Sequence, residues 1–174
     1  VESGLDGAAT HASPSWALAI PATLHDSLMA RLDRLPTAKE VAQLGATLGR
    51  EFSHELIQAV SPVEEKTLQS ALTQLVDAEL LYQRGVPPHA TYHFKHALIQ
   101  EAAYASLLRS TRRYYHQRIA QVLTTQFPDT VETQPELVAY HYTEAGLHAQ
   151  AIAYWQQAGQ GAQARSAHEE AMVH

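Results

Sequence analysis

The stretch "TYHFKHALIQEAAYASLL", residues 91–108, changes its hydrophobic pattern halfway along. Its first half alternates, so that Tyr92 and Phe94 share one face, which predicts a β-strand. Its second half has the pattern of a helix, which is predicted over 96–108. The junction falls at His96, in a sequence with no obvious catalytic machinery to account for a histidine there.

Upstream of this stretch the sequence predicts three helices and the other strand of a hairpin. The helices are expected at about 38–48, 53–60 and 64–79, and the hairpin at 80–95 with "GVPPHA" as its loop. Three helices followed by a β-hairpin form the winged-helix arrangement. A further helix is predicted to begin at Pro21, because proline is tolerated in the first turn.

Downstream, the pattern from Arg109 onward is helical. A helix is predicted over 112–127, then a break at "FPDTVETQP", then "ELVAYHYTEAGLHAQAIAYWQQAG" at 136–159, which matches a tetratricopeptide (TPR) unit. Small and large residues alternate there at the spacing that packs two helices together: Ala139, Tyr142, Gly146, Ala151, Trp155 and Ala158. "ARSAHEEAMVH" at 164–174 is predicted to begin another unit, because one and a half repeats cannot bury their own faces.

Composition excludes several classes of function. The chain has 174 residues, a formal net charge of −6 and no cysteine, so disulfides, thiolate metal sites and cysteine nucleophiles are excluded. Neither a membrane span nor a signal peptide is predicted, and a cytoplasmic location is expected. An acidic chain makes nucleic acid an unexpected partner. The predicted helix at 64–80 also makes nucleic-acid binding unexpected, because it has more acidic than basic residues: Glu64, Glu65, Lys66, Asp77 and Glu79.

The predicted fold class is therefore mainly α, with a winged-helix domain followed by TPR-like α-hairpins. Residues 1–19 are expected to form a linker or the end of an upstream helical region, 20–108 the helical plus winged-helix domain, and 109–174 the start of the repeats. The chain begins at Val1 without an initiator Met and stops at His174 inside a predicted helix. It is thus expected to be part of a longer protein.

Four motifs occur together and in this order: "IPATLHDSLMARLDRL", "GREF", "FKHALIQEAAYASLL" and "HYTEAG…AIAYWQQAG". They resemble the middle of bacterial STAND-class signalling ATPases (signal-transduction ATPases with numerous domains), over residues 20–174. The closest similarity is to the group linked to class III adenylate/guanylate cyclases. The sequence is also similar to LuxR/MalT-like regulators.

The resemblance implies a regulatory segment that is not itself an enzyme. An upstream P-loop domain of the same chain would bind ATP or ADP with Mg, and an output domain would make cyclic nucleotide. The repeats would take a protein or peptide ligand. Two alternatives stay open, namely a TPR-type interaction scaffold and part of a LuxR-like transcription regulator.

The resemblance also bears on Lys95 and His96. Related NOD-like receptors carry a Met-His-Asp motif after the wing, and its histidine contacts the β-phosphate of ADP. The matching triplet here is Lys95-His96-Ala97, so His96 with Lys95 is the implied nucleotide-phosphate sensor. A histidine at a helix start lies beside backbone N–H groups that favour an anion. The alternative role for His96 is a structural capping or core residue.

No metal site is predicted. His89, His93 and His96 are close in sequence, but a loop, an outward strand face and a helix start are not expected to converge. "HEEAM" at 168–172 lacks the second histidine of a zinc-protease motif. A basic cluster, consisting of Arg109, Arg112, Arg113 and Arg118, is either a solvated helix face or a contact surface for a neighbouring domain.

Overall fold

The computed structural model describes residues 22–173, with side-chain surroundings from 26 to 164. This part of the chain contains nine helices and one small sheet, which confirms the prediction of a mainly α fold. The helices are α1 (Ala22–Asp33), α2 (Pro36–Leu48), α3 (His54–Val60), α4 (Glu65–Asp77), α5 (Ala97–Ala105), α6 (Arg109–Gln126), α7 (Pro128–Thr133), α8 (Pro135–Ala145) and α9 (His148–Val173). The strands are β1 (Glu51–Ser53), β2 (Leu81–Arg84) and β3 (Thr91–Phe94). The predicted linker at 1–19 lies outside the described residues.

The sheet is antiparallel, and its strand order is β1-β3-β2. Phe52 in β1 pairs with Tyr92 in β3, and their rings stack with centroids 5.7 Å apart. Both rings are buried, as is Phe94, so one face of the sheet packs against the helices. Strand β1 was not predicted, because three residues are too few to establish an alternating pattern.

Helix α2 lies at the centre of the first half of the molecule. It packs against α4, α5 and β1, and it begins with Pro36 in its first turn. The N-terminus of α3 is capped by Ser53, whose hydroxyl accepts the N–H of Leu56 at 3.1 Å. Helix α5 follows directly after β3 and packs on α1 and α2, which fixes the strand-to-helix junction against the core.

Helix α6 joins this half to the helices that follow. It packs on α2 and α3 on one side and on α8 on the other. Its residues Ile119 and Leu123, with Val138 of α8, belong to the same hydrophobic core as the sheet residues. One continuous apolar core therefore extends from the sheet through α6 to α8.

The predicted break at "FPDTVETQP" does separate α6 from α8, but it also contains the short helix α7, which begins with Pro128 at its N-terminus and packs on α6 and α8. The predicted start of a new unit at 164–174 is wrong for the described residues, because α9 continues without a turn from His148 to Val173. In a tetratricopeptide unit a proline usually follows the second helix. Residue 163 is Gln at that place, so nothing there interrupts the backbone hydrogen bonds of α9.

Candidate functional site

His96 occupies the N-cap position of α5, with extended backbone angles (φ −136°, ψ 143°). Its backbone carbonyl accepts the N–H of Ile99 at 3.0 Å, but its side chain makes no capping hydrogen bond. The imidazole is exposed. The side chain thus neither caps the helix nor fills the core.

Lys95 is held by a different part of the structure. Its Nζ donates to Oε1 of Glu79 at 3.2 Å, and its backbone N–H donates to the carbonyl of Leu80 at 3.2 Å. Glu79 follows α4 and has a left-handed backbone (φ 59°). The ammonium is therefore directed to the turn between α4 and β2, and the structure does not bring Lys95 and His96 to a common partner.

An apolar groove lies beside His96, between α1 and the first turn of α5. Its volume is about 380 Å³, and Leu28, His96, Ala97, Leu98 and Ile99 line it. The imidazole is the only ionisable group among these lining residues. A group placed in the groove can thus bury apolar surface and accept a hydrogen bond from the same ring.

The other histidines near the hairpin lie against separate carboxylates. His89 Nδ1 is 3.3 Å from Glu55 Oε1, and His93 Nε2 is 3.5 Å from Glu51 Oε1. Among the side chains that the structure describes, no group of three or more His, Asp or Glu is arranged to hold a metal ion. Between residues 22 and 173, no helix combines the length and apolar character needed to cross a membrane.

A buried histidine pair, which sequence analysis missed, connects α6 to α8. His116 Nδ1 lies 2.8 Å from His141 Nδ1, and His116 Nε2 lies 3.0 Å from the hydroxyl of Tyr104 on α5. His116 and His141 are 0 % and 1 % exposed. Only one proton fits between two Nδ1 atoms at this distance, so one ring donates and the other accepts.

The surroundings keep both rings neutral. Burial, together with the nearby Arg112 guanidinium as the smaller cause, lowers the pKa of His116 to about 4. Burial lowers the pKa of His141 to about 3, with His116 as the second cause. The guanidinium of Arg112 lies 4.2 Å above the ring of Tyr104 and donates to the Tyr104 carbonyl at 3.1 Å. Burial in turn raises the pKa of the Tyr104 hydroxyl.

The sequence carries one signal for this pair. His116 is three residues before Ile119, so it falls on the apolar face of α6, where a histidine requires a buried partner. That partner is 25 positions away, and only the packing of α6 on α8 identifies it.

Polar contacts also hold α5 and α6 to the first half. Gln43 Nε2 on α2 donates to Ser106 Oγ at 2.8 Å, next to the end of α5. Arg118 on α6 donates its Nε–H to the carbonyl of Val60, the last residue of α3. Hydrogen bonds therefore link α2, α5, α6 and α8 into one connected set.

The predicted repeat-packing residues are only partly brought together. Ala139 and Ala151 are buried, and Tyr142 stacks on Tyr154 with ring centroids 5.7 Å apart. Trp155 is 48 % exposed, and its indole N–H donates to Thr143 Oγ1 at 3.1 Å. The remaining two are Gly146, which ends α8 in a left-handed conformation, and Ala158, which is partly buried.

Comparison with known proteins gives one similar sequence. An uncharacterized protein of Rhizobium meliloti (strain 1021) is 32 % identical over 145 residues, which are 83 % of this chain. The aligned part spans only 14 % of that protein's length. No family model matches the chain, and no solved structure matches it.

Proposed function

We propose that this chain is the regulatory segment of a multidomain STAND-type signalling ATPase, which acts in the cytoplasm. It would relay the nucleotide state of an upstream P-loop domain, and a signal received by TPR-like repeats, to a cyclase output domain. The proposal rests on one observation: at the start of α5, the imidazole of His96 is exposed and makes no capping hydrogen bond.

The order of elements supports a winged helix. Helices α2, α3 and α4 precede the β2–β3 hairpin, and β1 between α2 and α3 adds a third strand beside β3. Helices α8 and α9 support a TPR-like hairpin, because a short turn at Gly146 joins them and the small residues Ala139 and Ala151 are buried. The relative from Rhizobium meliloti is consistent with a segment of a much longer protein.

The relay would run through α5. His96 would donate a hydrogen bond to the β-phosphate of ADP held by the upstream domain, strengthened by the N–H groups of the first helical turn. Helix α5 is bonded to α2 near one end through Ser106, and to α8 through Tyr104 and the histidine pair. A shift of α5 would thus change the packing of the repeats, provided that the nucleotide prefers one arrangement.

The two alternative functions differ in which surface they need. A DNA-reading winged helix needs a basic face, whereas the exposed residues of α4 and its N-cap include Glu64, Glu65, Lys66 and Asp77. An interaction scaffold is favoured by the exposed apolar side chains of α8 and α9, namely Tyr140, Ile152 and Trp155. In that case His96 would have no nucleotide to contact.

The test measures nucleotide bound to a longer form of the protein that includes the proposed upstream domain. His96→Ala is compared with the control His89→Ala, which removes an exposed histidine from the hairpin loop. We expect the unaltered protein and the control to retain ADP after purification, and His96→Ala to lose it. Equal retention in all three forms would contradict the sensor role, and absence of nucleotide from all three would contradict the ATPase partnership.

A further inference from the structure

A polar cavity opens where the start of α6 meets the turn between α8 and α9. Its volume is about 340 Å³. The lining residues are Arg109, Arg112, Arg113, Thr143, Glu144, Gly146 and His148. Three guanidinium groups against one carboxylate give this cavity a net positive charge in a chain whose formal net charge is −6.

The three arginines differ in how firmly they are held. Arg112 is fixed, because it lies over the Tyr104 ring and donates to the Tyr104 carbonyl. Its Nε is buried and has no hydrogen-bond partner among the described residues. Part of its donor capacity is therefore unused by the protein itself.

The guanidinium groups of Arg109 and Arg113 have hydrogen-bond donors that no other described residue uses. Within the part of the chain that the structure describes, neither guanidinium forms a side-chain hydrogen bond or an ion pair. Arg113 packs directly against the turn, since a Cβ added at Gly146 would lie 2.8 Å from its terminal nitrogen Nη2. Glycine at this position leaves the space that the guanidinium occupies.

Two helices also begin at the cavity. Arg109 is the first residue of α6, and His148 is the first residue of α9. The N–H groups of the first turn of a helix have no acceptor within the helix, and the helix dipole makes that end attractive to anions. This adds to the charge of the arginines but does not define the site by itself.

We infer that this cavity is a binding site for a small phosphorylated ligand, with Arg109, Arg112 and Arg113 as the groups that contact the phosphate oxygens. Guanidinium groups match phosphate oxygens in geometry and charge, and several together suit a diphosphate better than a single carboxylate. The site is distinct from His96 and does not depend on the proposed ATPase. It would make the helical half of the molecule responsive to a metabolite.

The test is calorimetric titration of the chain with inorganic pyrophosphate at low ionic strength, where charge attraction is least screened. The variant Arg109→Gln/Arg113→Gln removes two charges that bond to nothing else in the described structure, so its fold should be retained. The control Arg50→Gln/Arg84→Gln removes the same charge from exposed positions in and next to the sheet. A third variant, Glu144→Gln, removes the one carboxylate from the cavity.

We expect saturable binding of one pyrophosphate, unchanged in the control and weakened about tenfold or more in Arg109→Gln/Arg113→Gln. Glu144→Gln should bind about threefold more tightly, because a repulsive charge is gone. No binding, equal weakening in both double variants, or acetate binding as tightly as pyrophosphate would each overturn the inference. Failure here would leave the nucleotide-retention result at His96 unaffected.

Discussion

The buried His116–His141 pair makes the stability of the protein depend on pH. In the folded chain, the pKa of His116 is lowered to about 4 and that of His141 to about 3, against 6.5 for an ordinary histidine. The unfolded chain therefore binds more protons between these values and pH 6.5. The stabilisation is complete above pH 6.5 and is lost as the pH falls toward about 4 for His116 and about 3 for His141.

We expect the free energy of unfolding to decrease by up to about 1.4 kcal/mol per pH unit for each histidine across this window. Urea unfolding at several pH values between 7.5 and 4.5, a range that spans the ordinary histidine pKa, measures the slope. The double variant His116→Phe/His141→Phe removes both titrating groups from positions that are 0 % and 1 % exposed, so its slope should be shallower. The control His89→Ala should keep the slope of the unaltered chain, and equal slopes in all three would refute the assignment.

Among the helices, two glycines predict opposite effects of the same substitution. Gly45 in α2 faces Phe52 of β1, and an added Cβ would lie 2.7 Å from that ring. Because Phe52 is 3 % exposed and cannot move freely, Gly45→Ala should destabilise the chain by about 1–3 kcal/mol. Gly159 in α9 has nothing within 4 Å of its added Cβ. Gly159→Ala should therefore raise helix stability by up to about 1 kcal/mol.

Thermal unfolding of the two single variants checks this pair. The midpoint should fall for Gly45→Ala and rise or stay level for Gly159→Ala. A fall in both would mean that α9 needs its glycine for a reason other than space, and no fall for Gly45→Ala would mean that α2 and β1 are not in close contact.

At the level of the elements, hydrophobic spacing predicted most of the helices and the hairpin but not β1 or α7. Helices α2 to α6 and the β2–β3 hairpin follow from spacing and turn residues, within a few positions at their ends. Strand β1 has three residues and α7 has six, so a hydrophobic pattern cannot repeat more than once in either of them. The repeat motif predicts a turn before residue 164, where a new unit would begin. No proline or other strong helix breaker lies there, so α9 continues to Val173.

The candidate site shows the same limit. His96 was expected at a helix start, and it occupies that position with an exposed side chain. Its role toward a phosphate stays a prediction. The pairing of His116 with His141 and the arginine cavity both depend on how α6 packs against the α8–α9 hairpin, which sequence spacing does not contain.

At the level of the whole molecule, the shared core predicts a single unfolding transition for the described region. Ile119 is fully buried in the shared core and belongs to α6, the helix that packs on α2, α3 and α8. We expect Ile119→Ala to lower the free energy of unfolding by about 2–5 kcal/mol. It should also lower the hydrogen-exchange protection of the amides in both halves together. Ile152→Ala, at a position that is 56 % exposed, is the matched control and should change little.

Hydrogen exchange of the backbone amides measures this coupling. The amides of β3 and α8 should exchange with similar free energies, and both should drop by the same amount in Ile119→Ala. Selective loss of protection in α8 alone would instead mean that the two halves unfold as separate units.

The central position of β3 in the sheet has a consequence for synthesis on the ribosome. Strands β1 and β2 are made first, yet each of them pairs with β3 and not with the other. A nascent chain that has not reached residue 91 carries both strands with the backbone groups that face β3 unpaired. During that interval Phe52 and Leu81 lack the residues that bury them in the folded chain. The growing chain is therefore most open to chaperones and to non-native association before the third strand emerges.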